Sequence, residues 1–404
     1  MSSPHARSPW LFMTVAAAIL MVTMGMRQSM GLFVSPLNTH TGLGIATISF
    51  AMAIGQFVWG AAQPVFGAAA DRWGSGRIVV LGAFLLAAGS VLTTQVTSEW
   101  GLIFALGVLS AAGAGAGSFS ILIGATANRI APERRSFASG FINAGGSVGQ
   151  FIFAPLSQAL IATIGWVAAL WALAVAALAT LPMAAVFREP RGGPPHGATA
   201  PGLTLTGQIS EAFRDPSYWC LHAGFFTCGF HIAFLVTHLP GEVALCGLPA
   251  SVSAASLAII GLANIAGSLG AGWLGQKHRM KWILFWIYGA RAAAVAVYLV
   301  LPKTTLTFYA FAAVLGLTWL ATVPPTAGLV GKLFGTRFLA TLFGLTLFSH
   351  QIGGFFGAWL GGLAIAHTGS FDGMWYADIA LAAAAAVINL PIREAMVQPA
   401  TRMA

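Results

Sequence analysis

Residues 67–77 read GAAADRWGSGR. Asp71, within this segment, is the first charged residue after a long stretch without Asp, Glu, Lys or Arg. That stretch runs over residues 28–70, and a second uncharged stretch, residues 78–98, follows the segment. A helix needs about 20 apolar residues to cross the hydrocarbon core of a bilayer, so both stretches are long enough to span one. We therefore predict that the polar part of the segment is a short connection between two membrane-spanning helices.

The composition of the whole chain points the same way. Only 7% of the 404 residues are charged, and 57% are hydrophobic, whereas a soluble domain carries about 25% charged residues. So few charges could not cover the surface of a soluble protein of this size, and neither a disordered nor a fibrous chain has this composition. We predict a membrane protein whose mass lies mostly in the bilayer.

Charged residues and turns divide the chain into twelve predicted helices. The uncharged stretches 28–70 and 136–187 are each too long for one helix, and turn residues at 36–39 and 163–166 are expected to split them. No alternating ten-residue segments of the outer-membrane barrel type occur. We predict an all-α fold with helices over 10–35, 45–69, 78–96, 101–128, 137–163, 166–187, 216–240, 250–275, 282–301, 305–331, 338–366 and 373–392.

The basic residues predict the orientation of these helices. If both termini are cytoplasmic, 16 of the 19 Lys and Arg residues lie on the cytoplasmic side and only Lys303 lies opposite. Cytoplasmic loops of membrane proteins carry such an excess of positive charge. This distribution explains the net charge of +9 without a nucleic-acid partner. Arg27 and Arg291 are the two basic residues that fall inside predicted helices.

A polar segment rich in Pro and Gly, residues 188–215, separates two halves, 1–187 and 216–404. Its end overlaps residues 211–219, EAFRDPSYW, which are expected to form a short surface helix that leads into helix 7. Several residues recur between the halves at a separation of 204 positions: Gly25 with Gly229, Arg27 with His231, and Gly149 with Gly353. Two similar six-helix halves related by an axis along the membrane normal are typical of the major facilitator fold.

Two motifs resemble known families. Gly67, Asp71, Arg72, Gly74 and Arg77 match the major facilitator loop pattern G-x-x-x-D-[RK]-x-G-x-[RK]-[RK], from which Gly76 departs. The resemblance implies a gate at the cytoplasmic ends of the helices. The stretch GMRQSMGLF, residues 25–33, resembles the first helix of monocarboxylate transporters and bacterial oxalate/formate exchangers, and residues 228–240 resemble the seventh helix of the same group.

The resemblance to monocarboxylate transporters implies a role for Arg27, because those carriers have a lysine there that handles substrate and protons. It also implies a multi-pass protein of the bacterial inner membrane that works as a monomer. The chain departs from the group in helix 8, where Asn264 and Ser268 stand at the positions of the usual acid and arginine. That departure leaves the group's proton-coupling scheme open for this chain.

Charge inside the helices predicts the substrate class. All ten acids are expected at helix ends or in loops, so no intramembrane carboxylate would neutralise Arg27 or Arg291. An Arg near the bilayer centre costs about 2.5–3.5 kcal/mol on insertion scales, and a guanidinium can bind a carboxylate with two hydrogen bonds. The alternative is that Arg27 bonds backbone carbonyls of a broken helix.

Other polar residues in apolar helices are further candidates for substrate contact, although many such residues only bridge helices. His231 is, with Arg27, also a candidate for proton coupling, since His titrates near neutrality. Pro324-Pro325 is expected to break helix 10 and free carbonyls beside the transport path. The predicted substrate-binding residues are Arg27, His231, Arg291, Tyr288, Ser118, Ser120, Asn143, Gln150, Trp319, His350 and Gln351.

These features favour a secondary transporter of small organic anions, above all monocarboxylates such as lactate or pyruvate, by proton symport or anion exchange. An exporter of aromatic or amphipathic compounds is the alternative, and a receptor built on a carrier fold is a third hypothesis. No constellation typical of an enzyme, a metal site or a cofactor site is recognised in the sequence. Protons and the lipid bilayer are the other expected partners.

Overall fold

The computed structural model describes residues 9–127, 135–187, 205–335 and 339–395, and these residues form helices without any strand. Most of the predicted linker therefore lies outside the described residues. So do several of the basic residues that predict orientation: Arg7, Arg129, Arg134, Arg188, Arg191, Arg337 and Arg402.

The N-terminal half contains the first six predicted helices. Helices 5 and 6 form one continuous run that is divided only at Gly165, where the backbone is not helical (φ 81°, ψ 160°). The helices have these bounds: helix 1, Pro9–Gln28, Met30–Phe33 and Val34–Thr41; helix 2, Ile45–Trp73; helix 3, Ser75–Thr93; helix 4, Glu99–Leu102, Ile103–Ser110, Ala111–Ala116 and Phe119–Ala127; helices 5 and 6, Arg135–Leu178, then Leu181–Ala184 and Ala185–Phe187.

The C-terminal half contains the other six, so the predicted all-α fold of twelve helices is confirmed. Helix 10 consists of two segments with a break between them. The helices have these bounds: a surface helix, Leu205–Arg214; helix 7, Pro216–Leu245; helix 8, Ala250–Lys277; helix 9, Met280–Val300; helix 10, Thr305–Thr318 and Val323–Phe334; helix 11, Leu339–Thr368; helix 12, Asp372–Ile388.

The connection between helices 2 and 3 is much shorter than predicted. Helix 2 continues through Asp71 and Arg72 to Trp73, helix 3 begins at Ser75, and Gly74 alone makes the turn (φ 92°, ψ 136°). Asp, Arg and Trp do not break a helix, whereas glycine adopts a positive φ without a steric penalty. The side chains of Asp71 and Arg72 lie outside the described side chains, so the gate contacts stay a prediction.

Two other predicted boundaries were wrong. Residues 36–39 are helical, and the chain turns instead at Gly42 (φ 65°) and Gly44 (φ 88°). Pro36 lies in the first turn of Val34–Thr41, where its missing N–H is not needed. The surface helix ends at Arg214, because Asp215 caps helix 7 by accepting a hydrogen bond from the Ser217 N–H at 2.7 Å.

The outer surface of the bundle is suited to lipid. Large apolar side chains point outward without polar cover, among them Trp100, Trp286 and Val300, which are 77%, 68% and 81% exposed. Nine helical runs within the described residues are long and apolar enough to cross a bilayer, and one of them, Gly140–Phe187, contains both helix 5 and helix 6. This surface and these lengths are those of a multi-pass membrane protein.

Close backbone contacts hold the helices of each half together, and they recur between the halves. A methyl group on Gly149 of helix 5 would lie 2.1 Å from the Met21 carbonyl oxygen of helix 1. A methyl group on Gly353 of helix 11 would lie 1.9 Å from the Phe226 carbonyl oxygen of helix 7. In lipid such close approach through small residues supplies much of the helix association. The sequence repeat therefore corresponds to equivalent helix contacts.

Helices 2 and 11 form much of the contact between the two halves. The Phe50 and Trp359 rings lie 5.6 Å apart, and a methyl group on Gly362 would overlap Ser49. Gly31, in the second segment of helix 1, packs against the Val236 carbonyl of helix 7 in the same way. We call these contacts of helices 1 and 2 with helices 7 and 11 the outer seam. They hold the halves together on the side that the charge pattern predicts to be outside.

We expect Gly353→Ala to lower the midpoint of thermal unfolding in detergent, because its methyl group would overlap the Phe226 carbonyl. Overpacking of this kind costs about 1–3 kcal/mol. Gly344→Ala is the matched control on the same helix, since a methyl group there meets open space. Equal midpoints for the two variants would contradict the described packing of helices 7 and 11.

Candidate functional site

Arg27 lies at the C-terminal end of the first segment of helix 1 and is half-buried. Its Nη2 donates hydrogen bonds to Gln56 Oε1 of helix 2 and, at 3.4 Å, to Gln351 Oε1 of helix 11. The guanidinium also stacks on Trp59, with its Cζ 4.3 Å from the ring centroid, which is a cation–π contact. Arg27 is therefore hydrogen-bonded by neutral groups from both halves.

A cavity of about 60 Å³ borders Arg27. Helices 1 to 4 and Val236 of helix 7 line it, and its polar members are Arg27, Gln56, Ser90 and Ser110. The Ser110 hydroxyl is buried without a hydrogen-bond partner among the described residues, at the end of the π-helical segment Ile103–Ser110. Irregular helical segments of this type are frequent at functional sites.

The cavity residues of helix 2 were not predicted from the sequence. Gln56 and Trp59 are three positions apart, so they lie on the same face of that helix and both meet Arg27. Gln56 could have been predicted as a site residue, because it is an amide in a long apolar helix, which is the criterion by which Gln150 and Gln351 were predicted. Ser110 carried no comparable signal, because serine is common in these helices.

Arg291 is fully buried and holds the break in helix 10. Its Nη2 donates to the carbonyl oxygens of Thr318 at 2.6 Å and Trp319 at 3.1 Å. Asn264 completes the arrangement, because its Oδ1 accepts a hydrogen bond from the Leu320 N–H at 2.9 Å. The expected break of helix 10 is present, and side chains of helices 8 and 9 satisfy the backbone groups that it frees.

His231 pairs with an acid that was expected outside the membrane. Its Nδ1 lies 2.5 Å from Asp378 Oδ2, and both side chains are fully buried. Helix 12 begins at Asp372, so Asp378 is about 9 Å along it rather than at its end. The expectation that no carboxylate lies inside the membrane was therefore wrong. The Trp319 ring packs against His231, with 5.9 Å between the ring centroids.

The two arginines inside the helices differ in how their charge is balanced. Arg291 and Asp378 are both fully buried in the C-terminal half, and they attract each other electrostatically. No ion pair joins Arg27 to a carboxylate among the described side chains. Of the two, only Arg27 thus has an unbalanced charge beside a cavity.

The other predicted site residues are distributed over both halves. Gln351 Nε2 lies 2.8 Å from His350 Nδ1, so His350 joins the hydrogen-bonded group of Arg27, Gln56 and Gln351. Tyr288 lies under Arg291, with the Arg291 Cζ 5.4 Å from the ring centroid, and its hydroxyl donates to the Gly224 carbonyl at 2.6 Å.

Three predicted residues of helices 4 and 5 have no contact with Arg27 in the described structure. Gln150 accepts a hydrogen bond from Gln28 at 3.5 Å, Asn143 is half-buried, and Ser118 is buried in helix 4. The side chain of Ser120 lies outside the described ones.

Two similar six-helix halves with polar side chains at their contact form the architecture of a secondary membrane transporter. Comparison with known families specifies the class. Residues 13–358 match the Major Facilitator Superfamily, and the chain belongs to this family.

Several named relatives are anion carriers. The chain is 25% identical to the oxalate:formate antiporter of Oxalobacter formigenes over 87% of this chain and 84% of the relative. It is 26% identical to monocarboxylate transporter 13 of Rattus norvegicus, over 95% of this chain and 89% of the relative. A solved bacterial homolog of the human lysosomal transporter Spinster, in an inward-facing and unoccupied conformation, has the same fold, with a TM-score of 0.68, 17% identity, and coverage of 97% and 95%.

The different surroundings of the two arginines predict effects of different size on stability. Arg291→Gln should lower the midpoint of thermal unfolding, because it frees two buried carbonyls and removes a cation that attracts Asp378; each unsatisfied buried group costs about 1–3 kcal/mol. Arg27→Gln should lower the midpoint less, because removal of an unbalanced charge offsets the lost hydrogen bonds to Gln56 and Gln351. A lower unfolding midpoint for Arg27→Gln than for Arg291→Gln would contradict this difference in charge balance.

Proposed function

We propose that the protein transports small monocarboxylates such as lactate or pyruvate by alternating access, and that Arg27 binds their carboxylate group. One observation carries this proposal: the Arg27 guanidinium borders a cavity and has no carboxylate partner among the described side chains. A guanidinium presents paired donors that match the two oxygens of a carboxylate. The anion would supply the negative charge that the site lacks.

Arg291 suits this role less well than Arg27. Its hydrogen bonds go to the carbonyls of helix 10, and it is attracted electrostatically by Asp378. Removing it from these carbonyls to bind a substrate would leave buried acceptors unsatisfied. We therefore assign substrate binding to Arg27, and we propose that Arg291 maintains the shape of helix 10.

The size of the cavity favours small anions over large amphipathic compounds. About 60 Å³ is far below the roughly 300–1,000 Å³ of sites for drug-sized ligands. The names of the relatives, an oxalate:formate antiporter and monocarboxylate transporters, support a carboxylate substrate as well. A second cavity of about 400 Å³, among helices 7, 11 and 12, has a mainly apolar lining and would suit the exporter hypothesis, but it does not border Arg27.

The charge of the empty site favours anion exchange as the mode of coupling. Enclosing an unbalanced charge in a low-dielectric interior is costly, whereas a site that holds an anion is neutral. The loaded carrier should therefore reorient faster than the empty one. Proton symport is a second candidate, because the buried His231–Asp378 pair is a group that could carry a proton.

The predicted orientation and gate belong to the same proposal. We propose a monomer in the bacterial inner membrane with both termini cytoplasmic, as the distribution of basic residues indicates. Gly74, which makes the turn between helices 2 and 3, then lies at the cytoplasmic face. Asp71, Arg72 and Arg77 flank it and would form the gate, and Gly67 precedes them in helix 2.

We expect Arg27→Gln to lower the rate of [14C]lactate uptake into proteoliposomes about 10- to 100-fold, the range for losing a hydrogen bond to a charged group. Arg279→Gln is the matched control, because it removes the same charge from an exposed position outside the helices. Uptake by Arg27→Gln at the rate of the control would exclude Arg27 as the anion site.

Exchange and symport can be separated in the same vesicles. We expect unlabelled lactate inside the vesicles to accelerate uptake of labelled lactate several-fold, and an inward proton gradient alone to give little uptake. Equal uptake from the proton gradient into vesicles without internal lactate would instead establish symport. Asp378→Asn would then identify the proton site, since it should remove the dependence on the proton gradient.

A further inference from the structure

Two glutamine side chains hold Arg27, one from each half of the protein. Gln56 Oε1 of helix 2 and Gln351 Oε1 of helix 11 both accept hydrogen bonds from Arg27 Nη2. Amide oxygens are neutral, so these contacts satisfy donors of Arg27 without balancing its charge. The contact with Gln351 also connects helix 1 to the opposite half.

We propose that the substrate carboxylate replaces the Gln351 amide oxygen as a hydrogen-bond partner of Arg27, so that the anion displaces Gln351 from Arg27. This inference rests on the anion site proposed above. A carboxylate makes charge-assisted hydrogen bonds that are about twice as strong as those of a neutral amide. Gln351 is then a positioning residue that competes with the substrate for Arg27.

Of the two glutamines, Gln351 is the one that an anion displaces more easily. Its contact with Arg27 is long, at 3.4 Å, near the limit of a hydrogen bond. Gln56 approaches Arg27 more closely and also lines the cavity, whereas Gln351 is not among the residues that line it. Arg27 can therefore keep Gln56 as a partner while it exchanges Gln351 for the anion.

The surroundings of Gln351 hold its amide in place. Gln351 Nε2 lies 2.8 Å from His350 Nδ1, which leaves Oε1 directed at Arg27. The side-chain stem packs on Gly60 of helix 2, where a methyl group would lie 2.6 Å from both Gln351 Cβ and Cγ. The stem is thus fixed against helix 2, and displacement is confined to the amide group.

Displacement of Gln351 would weaken the outer seam. Helices 2 and 11 are in contact at two places: Gly60 packs against Gln351, and Ser49 packs against Gly362. The bond from Arg27 to Gln351 is a polar link across this apolar contact. Substrate binding removes that link and so favours separation of the halves on the side that the seam closes. Binding of the anion and opening of that side are coupled through one side chain.

The test compares two replacements of Gln351 by anion-dependent thermal stabilisation, since a ligand that binds only the folded protein raises its apparent stability. Lactate, pyruvate, formate and oxalate are the probes. Gln351→Met keeps the length of the side chain but removes the competing oxygen. The concentration of anion for half-maximal stabilisation should fall about two- to tenfold, the range for one net hydrogen bond. A residue with a merely structural role would not make binding tighter when it is replaced.

Gln351→Glu places a permanent carboxylate beside Arg27. Its unfolding midpoint without anion should rise, and added anion should no longer shift it, because Arg27 is already neutralised. Gln208→Met is the control for a buried glutamine outside the site, where Gln208 donates to the Phe334 carbonyl. Its half-maximal concentration should equal that of the wild-type protein.

The outcomes separate this inference from the anion site itself. No stabilisation by any of the four anions, or stabilisation that survives in Arg27→Gln, overturns both. If stabilisation requires Arg27 but Gln351→Met needs the same or a higher concentration of anion, only the role of Gln351 is overturned. Stabilisation of Gln351→Glu at the wild-type concentration overturns it as well.

Discussion

A polar group inside the hydrocarbon layer must find its partner within the protein, and this constraint determines how the interior of the bundle is arranged. The break in helix 10 illustrates it, because Arg291 and Asn264 bind the backbone groups that the break frees. His231 and Asp378 are likewise partners, through one hydrogen bond between helices 7 and 12. The polar residues of the C-terminal half thus preserve its internal structure.

The N-terminal half has the same helix packing but a different balance of charge. Gly149 and Gly353 make equivalent contacts in the two halves. Arg27 and His231 also occupy equivalent positions, but their contacts differ. His231 has a carboxylate partner, and Arg27 has two amides and an aromatic ring. The same architecture therefore holds a cluster with charges of both signs in one half and a site able to accept an anion in the other.

The sequence predicted the helices, the repeat and the importance of Arg27, because these follow from local apolar length and from the rarity of charge. It could not predict the partner of His231, since Asp378 is 147 residues away and only the packing of helices 7 and 12 brings them together. The role of Gln56 was missed for the same reason: the contact with Arg27 joins two helices. The turn at Gly74 was predicted too long because polar residues there were read as a loop, although they continue the helix.

The turn at Gly74 limits how the N-terminal half can move. A connection of one residue offers only two freely variable torsion angles between helix 2 and helix 3. Helix 2 forms part of the outer seam, and helix 3 contributes Leu86 and Ser90 to the cavity wall. Any tilt of helix 2 that opens the seam is therefore transmitted to helix 3, so that the volume around Arg27 changes in step with the separation of the halves.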